Sequence, residues 1–133
     1  MLKKIHHIGI AVKDIKAAAE KYVAITGIMH YETEYVEGQD VDVAMFEVGE
    51  SRIELLQGRS ENSPISKFLE KNREGLHHVA YEVEDIDKAL VELKAQGFTL
   101  IDETARIGAG GMKIAFIHPK STSGVLTELS QVK

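Results

Sequence analysis

The stretch HHIGIAV at residues 6–12 recurs in a related form as HHVAYEV at residues 77–83. In each copy, two histidines open a hydrophobic run of the length and composition of a strand. The recurrence extends beyond the two runs, because an offset of 71 residues aligns His6, His7, Val12, Asp14, Ile15 and Ala18 with His77, His78, Val83, Asp85, Ile86 and Ala89. The sequence therefore predicts two copies of one structural unit.

An amphipathic helix is predicted after each His-His strand. Asp14 and Asp85 stand where an acidic side chain caps a helix N-terminus, and Gly27 and Gly97 stand where each helix should end. The apolar residues between them follow the spacing of one buried helical face. They are Ile15, Ala18, Ala19, Tyr22 and Val23 in the first half and Ile86, Ala89, Leu90 and Leu93 in the second.

Strand-like sequence follows each helix. Residues 43–57 read as two strands around a turn at Gly49-Glu50, and residues 113–131 read as two strands around HPKSTSG. A weaker strand is expected near residues 30–37 and 99–106. Each half is therefore predicted to have the order βαβββ.

The segment between the halves predicts one more helix. Ser63 is placed to cap it, Pro64 suits its first position, and Gly75 is expected to end it. We predict a single α+β domain over residues 1–133, in which two βαβββ repeats pair into a cupped mixed β-sheet. Repeat one spans 1–58, the connecting helix 63–74 and repeat two 76–133.

Composition limits the classes of function. A chain of 133 residues suits one compact domain, and its formal charge of −5 argues against general binding to nucleic acid or to a membrane surface. Cysteine is absent, which excludes disulfides and thiolate ligands, so a metal ion would have to be bound by His, Asp or Glu. The start, MLKKIHH, lacks the apolar stretch of a signal peptide, and a cytoplasmic location is expected.

Side chains alternate between the two faces of a strand, and this alternation places four polar residues on the faces opposite the large apolar residues. His7 shares a strand face with Gly9 and Ala11, and His78 shares one with Ala80, whereas the large apolar residues occupy the opposite faces. Glu54 and Glu128 recur at matching strand ends. Each of the four taken alone is more typical of an ordinary structural or exposed residue. Their repetition, however, favours a divalent metal site formed by His7, Glu54, His78 and Glu128.

This donor set restricts the metal ion. Two imidazoles and two carboxylates suit Co, Mn, Ni or Zn in near-octahedral geometry with positions open for substrate. Such a centre acts as a Lewis acid and can hold two oxygens of one molecule. His6 and His77 fall on the opposite strand faces and are interpreted as structural, and His118 is expected to shape the turn before Pro119.

The sequence resembles the methylmalonyl-CoA epimerases of the vicinal oxygen chelate (glyoxalase/bleomycin resistance/dioxygenase) superfamily over nearly its whole length. The matching stretches are HHIGIAV (6–12), IELL (53–56), SPISKFLEKNREGLHHVAYEV (63–83) and IGAGGMKIAFIHPKSTSGVLTEL (107–129). The last stretch is the most specific. The resemblance places the family metal site on His7, Glu54, His78 and Glu128.

The resemblance implies proton abstraction alpha to a thioester, through a metal-stabilised enolate of methylmalonyl-CoA. Epimerisation needs a second acid–base group as well, and Glu128 is expected to be one of the two by analogy with relatives. Some family members have a glutamate at the position of Val43. Asp42, Glu47 and Glu37 lie nearby in this sequence, but none is assigned as the second base.

The resemblance also implies an acyl-CoA substrate and a homodimer. Gly108, Gly110 and Gly111 are candidates for close approach to the CoA moiety or, equally, for a plain flexible hairpin. Lys113 and Lys120 are candidates for phosphate contacts or for ordinary exposed lysines.

Three other functions remain open from the sequence. A glyoxalase I (lactoylglutathione lyase)-type isomerase would use a similar metal site, although HPKSTSGVLTEL favours the epimerase. A metal-free protein of this fold that sequesters small molecules would not need the four polar residues. An extradiol dioxygenase would use two histidines and one carboxylate around iron, generally in a longer chain.

Overall fold

A computed structural model describes residues 2–132 of the chain, which form eight strands and three α-helices. In chain order the elements are β1 (Leu2–Ala11), α1 (Ile15–Thr26), β2 (Glu32–Val36), β3 (Val41–Val48), β4 (Ser51–Gly58), α2 (Pro64–Lys71), β5 (Gly75–Val83), α3 (Ile86–Ala95), β6 (Arg106–Ile107), β7 (Lys113–Ile117) and β8 (Thr127–Gln131). The predicted α+β class and the βαβββ order of both halves are confirmed. Among residues 2–132, no helix is long and apolar enough to cross a membrane.

The chain forms two compact units that divide β1 and β5 between them. The N-terminal unit comprises residues 8–77, and the C-terminal unit comprises residues 2–7 and 78–132. In the N-terminal unit β2, β3 and β4 form antiparallel pairs, and α1 covers a core built around Phe46 and Leu55. In this way the apolar face predicted for α1 is buried against the sheet of its own half.

The C-terminal unit has a mixed sheet. The start of β1 lies beside β5, which pairs in parallel with β8, and β8 pairs antiparallel with β7. Helix α3 buries Ile86 and Leu90 against Ala115, Ile117 and Leu129 on one face of this sheet. Side chains that alternate with these residues along the strands, including His78 and Glu128, point to the other face of the sheet.

Matching contacts start the helix of each half. The Asp14 carboxylate accepts a hydrogen bond from the backbone N–H of Ala17 at 3.2 Å, and Asp85 accepts one from Lys88 at 3.1 Å. A glutamine at the end of the last strand adds a second contact to the first residue of each helix. Gln57 accepts from the N–H of Ile15 at 2.8 Å, and Gln131 accepts from Ile86 at 2.9 Å. The duplicated sequence thus encodes a duplicated connection between strand and helix.

The strand predicted near residues 99–106 was largely wrong, because β6 has only two residues, Arg106 and Ile107. Upstream of it, Leu100 makes a single bridge to Ile117. The Asp102 side chain accepts a hydrogen bond from the N–H of Phe116 at 2.9 Å. In a continuing strand, a backbone carbonyl would have accepted this bond instead. A side chain that takes the place of a backbone acceptor ends the ladder.

The connecting helix α2 begins as predicted but ends earlier. The Ser63 hydroxyl accepts from Ile65 N–H and Pro64 is the first helical residue, whereas the helix ends at Lys71. Asn72 ends it, because its backbone is extended and its backbone and side-chain N–H groups both donate to the Phe68 carbonyl at 2.9 Å. Gly75, expected to stop the helix, instead begins β5 with φ at 151°.

Replacing Gly58 with alanine should destabilise the N-terminal unit. A Cβ at Gly58 would lie 2.8 Å from both Cβ and Oγ of Ser63, the residue that caps α2, and would also collide with Ser66. Overpacking of this kind costs about 1–3 kcal/mol. Urea unfolding of Gly58→Ala and the native chain measures the difference. Gly38→Ala is the control, because a Cβ there meets nothing within 4 Å. Equal losses in the two variants would contradict the expectation.

Candidate metal centre

Three of the four predicted ligands converge in the C-terminal unit. His7 is on β1, His78 on β5 and Glu128 on β8. The two Nε2 atoms are 3.0 Å apart, and Glu128 Oε1 is 3.5 Å from His7 Nε2 and 3.2 Å from His78 Nε2. The parallel register of β5 and β8 places Glu128 opposite Ala80, two residues along the strand from His78. Three strands thus direct one donor atom each toward a common point.

These separations suit a divalent cation. Donor atoms about 2.0–2.2 Å from one ion and at right angles to each other lie about 3 Å apart. All three side chains are buried, with 2% of His7, 5% of His78 and 4% of Glu128 exposed. Two imidazoles and one carboxylate, shielded from water and this close together, form a donor set that fits Zn²⁺, Co²⁺, Mn²⁺ or Ni²⁺.

The charge state of Glu128 is set by its histidine neighbours. Burial alone would raise the pKa of this carboxyl, but hydrogen bonds and charge attraction from His7 and His78 outweigh burial and hold the pKa well below its ordinary value. Glu128 is therefore ionised at neutral pH. An ionised carboxylate can bind a cation and can also accept a proton.

His6 contacts the metal-site histidine beside it. Its Nδ1 atom lies 2.8 Å from Nδ1 of His7, and 6% of His6 is exposed. One of the two nitrogens must donate and the other accept. If His7 uses Nε2 as a ligand, its Nδ1 carries the proton and donates to His6. His77, by contrast, packs its ring in a T-shaped arrangement with Phe68, with ring centroids 4.9 Å apart.

A serine that the sequence analysis did not single out completes the surroundings of Glu128. Ser130 is fully buried, and its hydroxyl donates a hydrogen bond to Glu128 Oε2 at 2.7 Å. The contact arises because residues 128 and 130 lie on the same face of β8. A signal was present in the sequence, since the tail ELLQ of the first repeat becomes ELSQ in the second, with Ser130 in place of Leu56.

Glu54, the fourth predicted ligand, lies in the N-terminal unit. It is in the middle of β4, opposite Met45 of β3, and only 3% of it is exposed. Its burial fits a functional carboxylate better than the exposed strand position that was the alternative. Its role as a ligand remains a prediction.

Two of the acids near Val43 already have cationic partners. Val43 itself is buried. The Asp42 carboxylate accepts two hydrogen bonds from the Arg59 guanidinium, at 2.5 and 3.3 Å, and Glu47 accepts one from Arg52 at 2.6 Å. Both carboxylates are thus engaged with arginine side chains, and neither is assigned as the second acid–base group.

Three of the candidate CoA-contacting residues, Gly108, Gly110 and Lys113, have ordinary structural contacts or conformations. Gly108 packs closely on Ile114, since a Cβ there would lie 2.8 Å from that side chain, and Gly110 has φ at 67° inside the turn that joins β6 to β7. The Lys113 ammonium pairs with Asp87 at 3.5 Å. His118 was expected to shape the turn before Pro119, whereas it caps the short turn Pro119–Ser121 that follows it, where its Nδ1 accepts from the N–H of Lys120 at 3.0 Å.

Comparison with known proteins identifies the family of this chain. Residues 6–116 match the family model described as the glyoxalase/bleomycin resistance protein/dioxygenase superfamily. An ethylmalonyl-CoA/methylmalonyl-CoA epimerase of Cereibacter sphaeroides is 40% identical over 99% of this chain and 100% of its own length. The mitochondrial methylmalonyl-CoA epimerase of Homo sapiens is 37% identical over 98% of this chain and 74% of its own length.

A solved structure gives the same result. A variant of the Streptomyces coelicolor methylmalonyl-CoA epimerase, in complex with 2-nitronate-propionyl-CoA, is 38% identical. The alignment covers 98% of this chain and 95% of that one, with a TM-score of 0.94. The glyoxalase-like α+β fold predicted from the sequence is thereby confirmed. The chain belongs to the glyoxalase/bleomycin resistance protein/dioxygenase superfamily and, within it, to the methylmalonyl-CoA epimerase family of isomerases.

Proposed function

We propose that this protein epimerises methylmalonyl-CoA, or a closely similar 2-substituted malonyl-CoA, at C2 with the help of a divalent cation. The observation that carries the proposal is the buried cluster of His7, His78 and Glu128. In that cluster an ionised carboxylate lies within 3.5 Å of two imidazole nitrogens. The family relatives supply the substrate class, because their names specify ethylmalonyl-CoA and methylmalonyl-CoA.

The cation would be held by His7, His78 and Glu128, with Glu54 proposed as the fourth ligand. When bound, it would supply Lewis-acid stabilisation of the negative charge that develops on the substrate's oxygens. The site has no thiolate, and its imidazole and carboxylate donors do not select one metal among cobalt, manganese, nickel and zinc.

Glu128 is proposed to move the proton. Its carboxylate accepts the C2 proton, and the electron pair of the C–H bond passes into the thioester to give an enolate. The acid is then neutral and the substrate planar at C2. A second group returns a proton to the opposite face, which inverts C2, and a later exchange with solvent restores both groups. Burial of Glu128 keeps bulk water away during the transfer.

The nitronate complex of the Streptomyces relative supports an enolate route. A nitronate is a planar anion at the carbon that corresponds to C2, and it resembles an enolate more closely than it resembles either tetrahedral epimer. Binding of a planar, enolate-like anion is expected of an enzyme that stabilises such an intermediate.

Hydrogen exchange at C2 tests the proposal. Protein loaded with Co²⁺ is incubated with methylmalonyl-CoA in deuterated buffer, and deuterium at C2 is followed by mass spectrometry. Metal-dependent incorporation, together with interconversion of the two epimers, is the expected result. The hemithioacetal of methylglyoxal and glutathione is assayed in parallel. Turnover of that compound without exchange in methylmalonyl-CoA would reject the epimerase in favour of a glyoxalase I-type isomerase.

Two further expectations belong to the proposal, the first of which comes from the family resemblance. We expect a homodimer, which sedimentation of the purified chain would test. We also expect a cytoplasmic location, although the human relative is named as mitochondrial.

A further inference from the structure

We propose that Ser130 is a positioning residue, which holds Glu128 so that one carboxylate oxygen faces the two histidines while the other is turned away from them. The inference deepens the proposed function and rests on it. Its starting point is that the two oxygens of Glu128 have different surroundings. Oε1 lies near both imidazoles, and Oε2 accepts the hydrogen bond from Ser130.

The geometry of β8 makes this contact firm. Glu128 and Ser130 are two residues apart on the same face of a paired strand, between β5 and β7. The distance from Ser130 Oγ to Glu128 Oε2 is 2.7 Å, and Ser130 is inaccessible to solvent. Water therefore cannot replace the hydroxyl without rearrangement. A carboxylate held at one oxygen keeps its rotamer, and with it the direction of the other oxygen.

The internal repeat shows that the fold itself does not require a serine here. Ser130 lies two residues after Glu128 in the second repeat. The matching position in the first repeat, two residues after Glu54, is occupied by Leu56. Leu56 is also buried. An apolar side chain thus satisfies the packing of the same strand position in the sister repeat. A buried hydroxyl in the other copy needs a reason other than packing, and its hydrogen bond to Glu128 provides one.

The hydrogen bond has two consequences for the proposed chemistry. It favours binding of the cation through Oε1 alone, because Oε2 is engaged by the hydroxyl. It also fixes the position of Oε2, and with it the orientation of the whole carboxylate. Removal of a group that hydrogen-bonds to a metal ligand and orients it typically lowers metal affinity or activity about 10–100-fold.

The test compares substitutions that differ in the hydroxyl alone. Ser130→Thr and Ser130→Val introduce side chains of the same shape, so their packing effects cancel. Co²⁺ affinity is measured for both by competition with a chelating dye, and Ser130→Ala is measured as a third variant that adds no bulk. We expect the alanine and valine variants to bind Co²⁺ about 10–100-fold more weakly than the native chain. The threonine variant should keep most of the native affinity.

Kinetics adds a readout that a purely structural role would not change. At saturating Co²⁺, the valine variant should have a lower kcat than the threonine variant, with a similar KM for methylmalonyl-CoA. Ser63→Ala is the matched control, since Ser63 is also a fully buried serine but its hydroxyl caps α2. It should lower the melting temperature and leave Co²⁺ affinity unchanged.

The outcomes separate this inference from the proposed function. If the native chain binds Co²⁺ and the threonine and valine variants bind it equally well, the role of Ser130 is rejected while the metal centre stands. If the native chain binds no Co²⁺, both are rejected. Equal loss of affinity in the threonine, valine and alanine variants, with unchanged melting temperatures, would also contradict a role for the hydroxyl.

Discussion

Glu128→Gln is expected to reduce the rate of C2 proton exchange by about 10²–10⁴-fold, the usual contribution of a positioned acid–base group. Glutamine keeps the shape of the side chain but cannot accept the proton and carries no negative charge. The loss should therefore appear in kcat at saturating metal as well as in metal affinity. Exchange of the C2 hydrogen in deuterated buffer, measured at several Co²⁺ concentrations, separates the two effects.

A matched glutamate controls for the loss of a buried negative charge. Glu82 lies on β5, on the same strand face as His78, with 8% of the residue exposed. Its carboxylate pairs with Lys3 at 3.3 Å and with Lys4 at 3.9 Å, and it is assigned no part in the chemistry. Glu82→Gln should keep near-native exchange. If both variants lose exchange to the same extent, Glu128 has no special role as the base.

Removal of divalent metal is expected to abolish exchange and to lower the melting temperature. Dialysis against a chelator, followed by addition of Co²⁺, Mn²⁺, Ni²⁺ or Zn²⁺, should restore both properties. A ligand that binds only the folded state stabilises it by about 2.7 kcal/mol at a free concentration of 100 Kd. Calorimetry as a function of metal concentration measures this gain. Full exchange in metal-free protein would contradict the proposed centre.

Alanine variants of the adjacent residues His77 and His78 test whether the cation binds at the proposed centre. His78→Ala removes a donor atom that lies 3.2 Å from Glu128 and 3.0 Å from His7. His77→Ala removes a neighbouring ring that packs against Phe68 instead. The first variant should lose the melting-temperature response to Co²⁺, and the second should keep it. Equal responses would show that the cation binds elsewhere.

Much of the fold follows from local features of the sequence. The period of the apolar residues, the capping aspartates and the recurring His-His strand correctly indicated both βαβββ halves. These signals depend on residues a few positions apart, so the chain carries them without reference to distant partners. The errors occurred where a side chain hydrogen-bonded to the backbone at the end of an element, as Asp102 did beside β6 and Asn72 did at the end of α2.

The sequence by itself determined that a His-His strand recurs in a duplicated chain and that the last strand of each repeat carries a glutamate at a matching position. Tertiary structure alone decided what each polar atom meets. It brought His7, His78 and Glu128 together, engaged Asp42 with Arg59, and placed the Ser130 hydroxyl on the far oxygen of Glu128. The physical reason is that side-chain type and period are encoded locally, whereas the partner of a buried polar atom depends on strand register and rotamer, which are set only when distant segments pack together.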